Sequence, residues 1–145
     1  MARHAHHDGQ SSRLDLLVPA VARHAVAIAA AADTPVEDTG REMVLSMVRS
    51  RRRYGADVGV TAALAAAELT RAVAERPELD VVAAVRGCLD GAVLGAREAG
   101  ADTPQVVSAA VARLLEVVSE LRPRELSAAR QHASLVLAQL WQPEP

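Results

Sequence analysis

The chain has 145 residues and a formal net charge of -2, enough length for one domain with its own core and too little charge to imply a strongly acidic or basic partner. A single cysteine, Cys88, excludes an internal disulfide and a cysteine-built zinc cage. Lys, Asn and Phe are absent and Ile28 is the sole isoleucine, the usage of a GC-rich genome. Part of the arginine content therefore stands in for lysine, and a core of Ala, Val and Leu must bring its elements close together.

Residues 1–11, "MARHAHHDGQS", carry no apolar period and are expected to form a mobile arm ahead of a helical domain over 12–141, with 142–145 a frayed tail. No stretch here has the basic start, apolar middle and small-residue cleavage site of a signal peptide. Once Met1 is removed, the amine of Ala2, the amides of Arg3 and His4 and the His4 imidazole can form a square-planar Cu(II) or Ni(II) site. His6 and His7 lie close enough to extend that ligand set.

"SRLD" offers Ser12 as the cap of a first helix, with Asp15 three residues later. Leu14, Leu17, Val18, Val21, Ala25 and Ile28 form its expected buried face, and Pro19 kinks it or moves its start. The apolar run 16–32 is interrupted by Arg23 and His24 and is largely alanine, so it is not expected to span a membrane. A cytoplasmic location is the default expectation.

"TPVE" marks the second start, with Thr34 as N-cap, Pro35 at the first helical position and Glu37 in the first turn. Met43, Val44, Met47 and Val48 line its inner side, and Gly55 is the expected stop. At its end "RSRRRY" gathers Arg49, Arg51, Arg52 and Arg53, with Arg41 two turns earlier. Such a cluster could neutralise phosphates while Tyr54 stacks on a base; it equally suits a cationic helix C-terminus.

Asp57 caps a third helix, whose stripe is Val58, Ala62, Ala66, Leu69 and Val73, with Leu64 among polar neighbours. A fourth helix begins at Asp80, or at Pro77 itself, and runs to Gly100, with Val81, Val85, Cys88, Leu89, Ala92 and Ala96 inward. Beside that face Ala84, Gly87, Gly91 and Gly95 form a smooth stripe. Each glycine costs the helix about 1 kcal/mol relative to alanine, a cost offset only if another backbone approaches closely. The approaching helix belongs either to the same chain or to a second copy.

Thr103-Pro104 opens a fifth helix with Val107, Ala110, Val111, Leu114, Val118 and Leu121 inward, and Pro123 opens a sixth with Leu126, Ala133, Val136, Leu137 and Leu140 aligned. The two Thr-Pro starts hint at related halves. No segment alternates with period two, so the expectation is an all-α fold of about six amphipathic helices. These make an up-and-down antiparallel bundle or, alternatively, stacked helical hairpins.

Little in the pattern carries chemistry. His24 and His132 have no His, Asp or Glu three or four residues further on, and Glu116 and Glu120 lack a histidine on their helix. No cofactor is implied, and no catalytic residue is assigned. The first reading is a non-enzymatic interaction or scaffold module with a protein partner or its own copies, self-associating through the small-residue seam. The alternatives are a polyanion-binding regulator using Arg41, Arg49 to Arg53 and Tyr54, and metal binding by the N-terminal arm.

Overall fold

A computed structural model describes the backbone of residues 2–141 and the side chains of residues 15–141. The described chain is all-helical: α1 (Ala2–Ala31), α2 (Val36–Arg52), α3 (Val58–Ala74), α4 (Val81–Ala99), α5 (Thr103–Leu121) and, after a 3-10 turn at Pro123–Glu125, α6 (Leu126–Trp141). Successive helices run in opposite directions, as the short connections require. The helices pack as a bundle with a further order in it. Glu37, Arg41 and Val48 of α2 meet Gly87, Gly91 and Gly95 of α4 in rising sequence, so α2 and α4 lie parallel. Gly59 faces Val106 at one end of α3, and Arg122 reaches Ala74 at the other, so α3 and α5 are parallel too. These two pairings are the most extensive contacts in the molecule, and the remaining contacts place α2, α4 and α6 in one layer and α1, α3 and α5 in the other. The bundle thus includes the layering expected of stacked hairpins.

The helix ends follow backbone chemistry. Asp57 accepts from the Val60 amide at 3.0 Å, and Asp80 accepts from Val82 and Ala83 at 3.0 and 3.1 Å. At α5 the cap is Asp102, which accepts from Gln105 at 3.3 Å, and Thr103 is already helical. Thr34 does not cap α2 either: Pro35 holds the cap position with no side-chain cap hydrogen bond, and the Thr34 amide closes α1 on the Ala29 carbonyl at 2.8 Å. Asp33 makes that closure in the left-handed region, at φ 56°, while Gly55 and Gly100 do the same for α2 and α4 at 75° and 67°. Each is followed by an amide that reaches back to the carbonyl five residues earlier, in the last turn, completing the paired hydrogen bonds of a Schellman stop.

α1 departs most from expectation. Helical backbone is continuous from Ala2, so Ser12 and Pro19 lie inside the helix instead of at its start. Its buried face is Val18, Ala22, Val26 and Ala29, rotated from the expected one, while Leu17, Val21 and Ile28 are 58, 48 and 56 % exposed. The reason is the neighbour. α3 offers α1 an alanine-rich wall, and the alanine-bearing side of α1 approaches it more closely than a leucine side can. α3 itself sits at the centre, buried on nearly every side, Thr61 and Thr70 included. Leu64 is half-buried and packs on the core instead of standing out as a contact for a partner.

Candidate functional site

The glycine seam has a definite occupant within the chain. A Cβ on Gly87 would overlap the Glu37 carbonyl oxygen, and one on Gly91 would lie 2.6 Å from the Arg41 oxygen. The seam is reciprocal, for a Cβ on Gly40 would sit 3.1 Å from both the Ala84 oxygen and the Cys88 nitrogen. Ala84, Gly87, Gly91 and Gly95 are all buried, so this face of α4 is filled by α2 and offers nothing to a second copy.

Cys88 lies on the same contact. Burial pushes its thiol up to about 12, with a weak counteracting contact to the Thr70 hydroxyl at 4.0 Å. A thiol held protonated and fully buried is a poor nucleophile and a poor metal ligand.

The arginines of "RSRRRY" do not form one free patch. Arg49 grips Glu98 of α4, its Nε donating to Oε2 at 2.7 Å, and Arg52 donates to the Glu98 carbonyl at 2.8 Å. This hydrogen bond from Arg49 holds the exposed Glu98 carboxyl below its ordinary range and raises Arg49 in return. Arg51 is only 8 % exposed and pairs with Asp15 of α1 at 2.5 Å. Arg41 is tied to Asp38 at 2.7 Å. Arg53 and Tyr54 are exposed, the latter at 72 %. The cluster therefore acts as a set of clamps: Arg49 and Arg52 fasten α2 to α4 at the end where Gly100 stops α4, and Arg51 fastens it to α1.

The candidate metal-binding residues Ala2, Arg3, His4, His6 and His7 have side chains outside those described. Among the described residues no group of three or more His, Cys, Asp or Glu side chains is placed to hold a metal ion. No ion pair joins Asp90 to Arg86 or Arg97, although the helical spacing allowed it. Glu116 and Glu120 are exposed on α5.

Two polar features escaped the sequence reading. Arg122, directly after α5, turns its guanidinium into the end of α3 and donates to the carbonyls of Ala74 at 3.0 Å, Arg76 at 2.6 Å and Leu79 at 3.3 Å. It caps a helix to which it is not joined, and an arginine lodged between a helix end and Pro123 was the available signal. The second is a pair on facing helices: Arg86 Nε of α4 and His132 Nε2 of α6 are both occluded from solvent with no hydrogen-bond partner.

α1 leaves large apolar side chains exposed. Leu16, Leu17, Val21 and Ile28 of α1 stand 78, 58, 48 and 56 % open, and Arg23 is the only charged side chain from 16 to 32. Leu17, Val21, His24 and Ile28 fall within about one helical sector at 3.6 residues per turn, so they make a continuous stripe along the outer edge of the α1 layer. No helix among the described residues is long and apolar enough to cross a membrane. No family model, curated protein or solved structure matches this chain.

Proposed function

We propose that this chain is a non-enzymatic helical interaction module that associates with a second copy of itself, and that it does so through the outer face of α1. The glycine stripe, occupied by α2, is not the meeting surface. The observation that carries the reading is the exposed stripe Leu17, Val21 and Ile28 on a helix whose opposite face is already buried. Two such stripes can meet with little charge to desolvate, since Arg23 alone flanks them. Three aliphatic side chains fall short of the roughly 800 Å² per partner of a stable interface, so the association is weak and concentration-dependent.

The inert state of Cys88, the engagement of Arg41, Arg49 and Arg51 by acidic neighbours and that of Arg52 by the Glu98 carbonyl support the same reading over catalysis or polyanion binding. Sedimentation velocity over a wide concentration range tests it. The wild-type chain is expected to associate as concentration rises, and the double variant Leu17→Glu/Ile28→Glu to remain monomeric with unchanged helicity. A wild-type monomer at every concentration up to the millimolar range overturns the proposal. Salt-sensitive binding of labelled nucleic acid, lost when Arg49, Arg51, Arg52 and Arg53 become alanine, would install the polyanion reading in its place.

A further inference from the structure

α6 is the helix least embedded in the molecule, with only Ala129 and Ala133 fully buried. Its larger apolar side chains, Val136, Leu137 and Leu140, are partly covered where they lie on the core. His132 stands beside the two buried alanines, so its ring lies along the seam where α6 meets α4. There Nε2 is shut away from water without a partner, and so is Nε of Arg86 across the seam. A neutral imidazole tolerates this place as a lone pair without a donor. Protonation changes the chemistry: Nε2 becomes an N–H that needs an acceptor where none is within reach, and a second positive charge arises near the guanidinium.

The charges that act on His132 come from two helices. Arg86 of α4 opposes the imidazolium, whereas Asp90 of α4 and Glu37 of α2 favour it, and no group of α5 is among them. Asp90 is exposed and therefore screened by solvent. Burial of the ring and the Arg86 charge prevail, and the proton affinity of His132 is lowered from the usual histidine value.

We propose that α6 is a pH-released helix: on acidification His132 takes a proton from solvent beside Arg86, α6 loosens from α4, and the apolar side chains beneath it are bared. The sign follows from linkage. A histidine that binds its proton less readily when α6 is docked favours docking above the ordinary histidine range. That preference is lost progressively as pH falls from there toward the lowered value of the docked state. The released state is local, since α1 to α5 keep the contacts that hold them together without α6.

Hydrogen exchange resolved by residue, corrected for intrinsic rates, tests this on the full chain at about pH 7.5 and about pH 5. The protection of α6 amides is expected to fall about threefold or more at the lower pH relative to α3 amides, and to stay constant in His132→Gln. Equal protection at both pH values, a loss shared by all helices, or a loss that persists in His132→Gln overturns the proposal. Should that variant fail to fold, an NMR titration of the wild-type chain decides alone. His132 must titrate below the ordinary histidine value of about 6.5, and a midpoint at or above that value refutes the release.

Discussion

Alanine substitution along the α2–α4 seam sets two known quantities against each other. Replacing a mid-helix glycine gains about 1 kcal/mol of helix propensity, and placing a Cβ in a filled contact costs about 1 to 3 kcal/mol, occasionally more. At Gly95 the new carbon would meet Val48 Cβ and Cγ1 at 3.2 Å, a shortfall of a few tenths of an ångström, so gain and cost nearly cancel. At Gly91 it would stand 2.6 Å from the Arg41 carbonyl oxygen and 3.0 Å from Val44 Cβ, giving a net loss of about 1 to 2 kcal/mol. At Gly87 it would overlap the Glu37 oxygen and lie 2.7 Å from the carbonyl carbon and 2.9 Å from Cα. These are backbone atoms that cannot rotate aside, so α2 and α4 must part along the seam and lose dispersion contacts on both sides. A net loss of about 3 kcal/mol or more follows, near 10 °C in Tm for a chain of this size. Gly59 is the control, since only the Asp57 carboxylate at 3.2 Å and Val106 at 4.0 Å lie nearby, and its alanine variant should be unchanged or slightly stabilised. Urea and thermal unfolding followed by circular dichroism measure the series. A Gly87→Ala protein as stable as wild type, or one more stable than Gly95→Ala, refutes the claim that backbone approach is what these glycines serve.

Arg122→Met keeps the aliphatic stem but removes three hydrogen bonds to the end of α3, leaving the carbonyl of buried Ala74 unpaired. A loss of about 2 to 3 kcal/mol is expected, and Arg122→Lys should recover only part of it because an ammonium cannot span three carbonyls. Unchanged urea midpoints in the methionine variant would show that solvent replaces the cap. At Asp33, whose φ is 56°, glycine should raise stability by about 0.5 kcal/mol and valine should lower it by about 1 to 2 kcal/mol. A valine variant with wild-type Tm would mean that α1 ends differently in solution.

The fold was legible where one backbone signal spoke for one element. Asp57 and Asp80 precede apolar periods, Gly55 and Gly100 follow them, and all four act as read. Sequence reading went astray where a residue had two uses. Thr34 looks like a cap because Pro35 follows it, yet the preceding left-handed Asp33 draws its amide into the stop of α1. The wrong face of α1 has a related cause. Leu17, Val21 and Ile28 win any ranking by hydrophobicity, but α3 selects for closeness, and Ala22 and Ala29 supply it. Helical period identifies the faces of a helix; it does not state which one the neighbour's shape accepts.

The polar side chains were harder still, because their partners are remote in sequence. Arg49 with Glu98, Arg51 with Asp15 and Arg122 with Ala74 are separated by 49, 36 and 48 residues, and only the assembled layers bring them together. A run of arginines read in one dimension suggests a surface for an anion. In three dimensions the same run lies where α2 crosses neighbours on two sides, and its guanidiniums divide between them, Arg49 and Arg52 going to α4 and Arg51 to α1.

That distribution follows from the composition. With Phe absent and Tyr54 and Trp141 both exposed, no large ring fills a gap between the described helices, and the chain closes its gaps by bringing backbones together at Gly40, Gly87 and Gly91. Close approach leaves little buried area per residue at the edges of the layers, where a helix has a neighbour on one side only. α1 and α6 occupy those edges. One presents an uncovered apolar stripe and the other rests on two alanines beside an unpartnered histidine. The proposed association and the proposed release therefore fall on α1 and α6, neither of which takes part in the glycine seam.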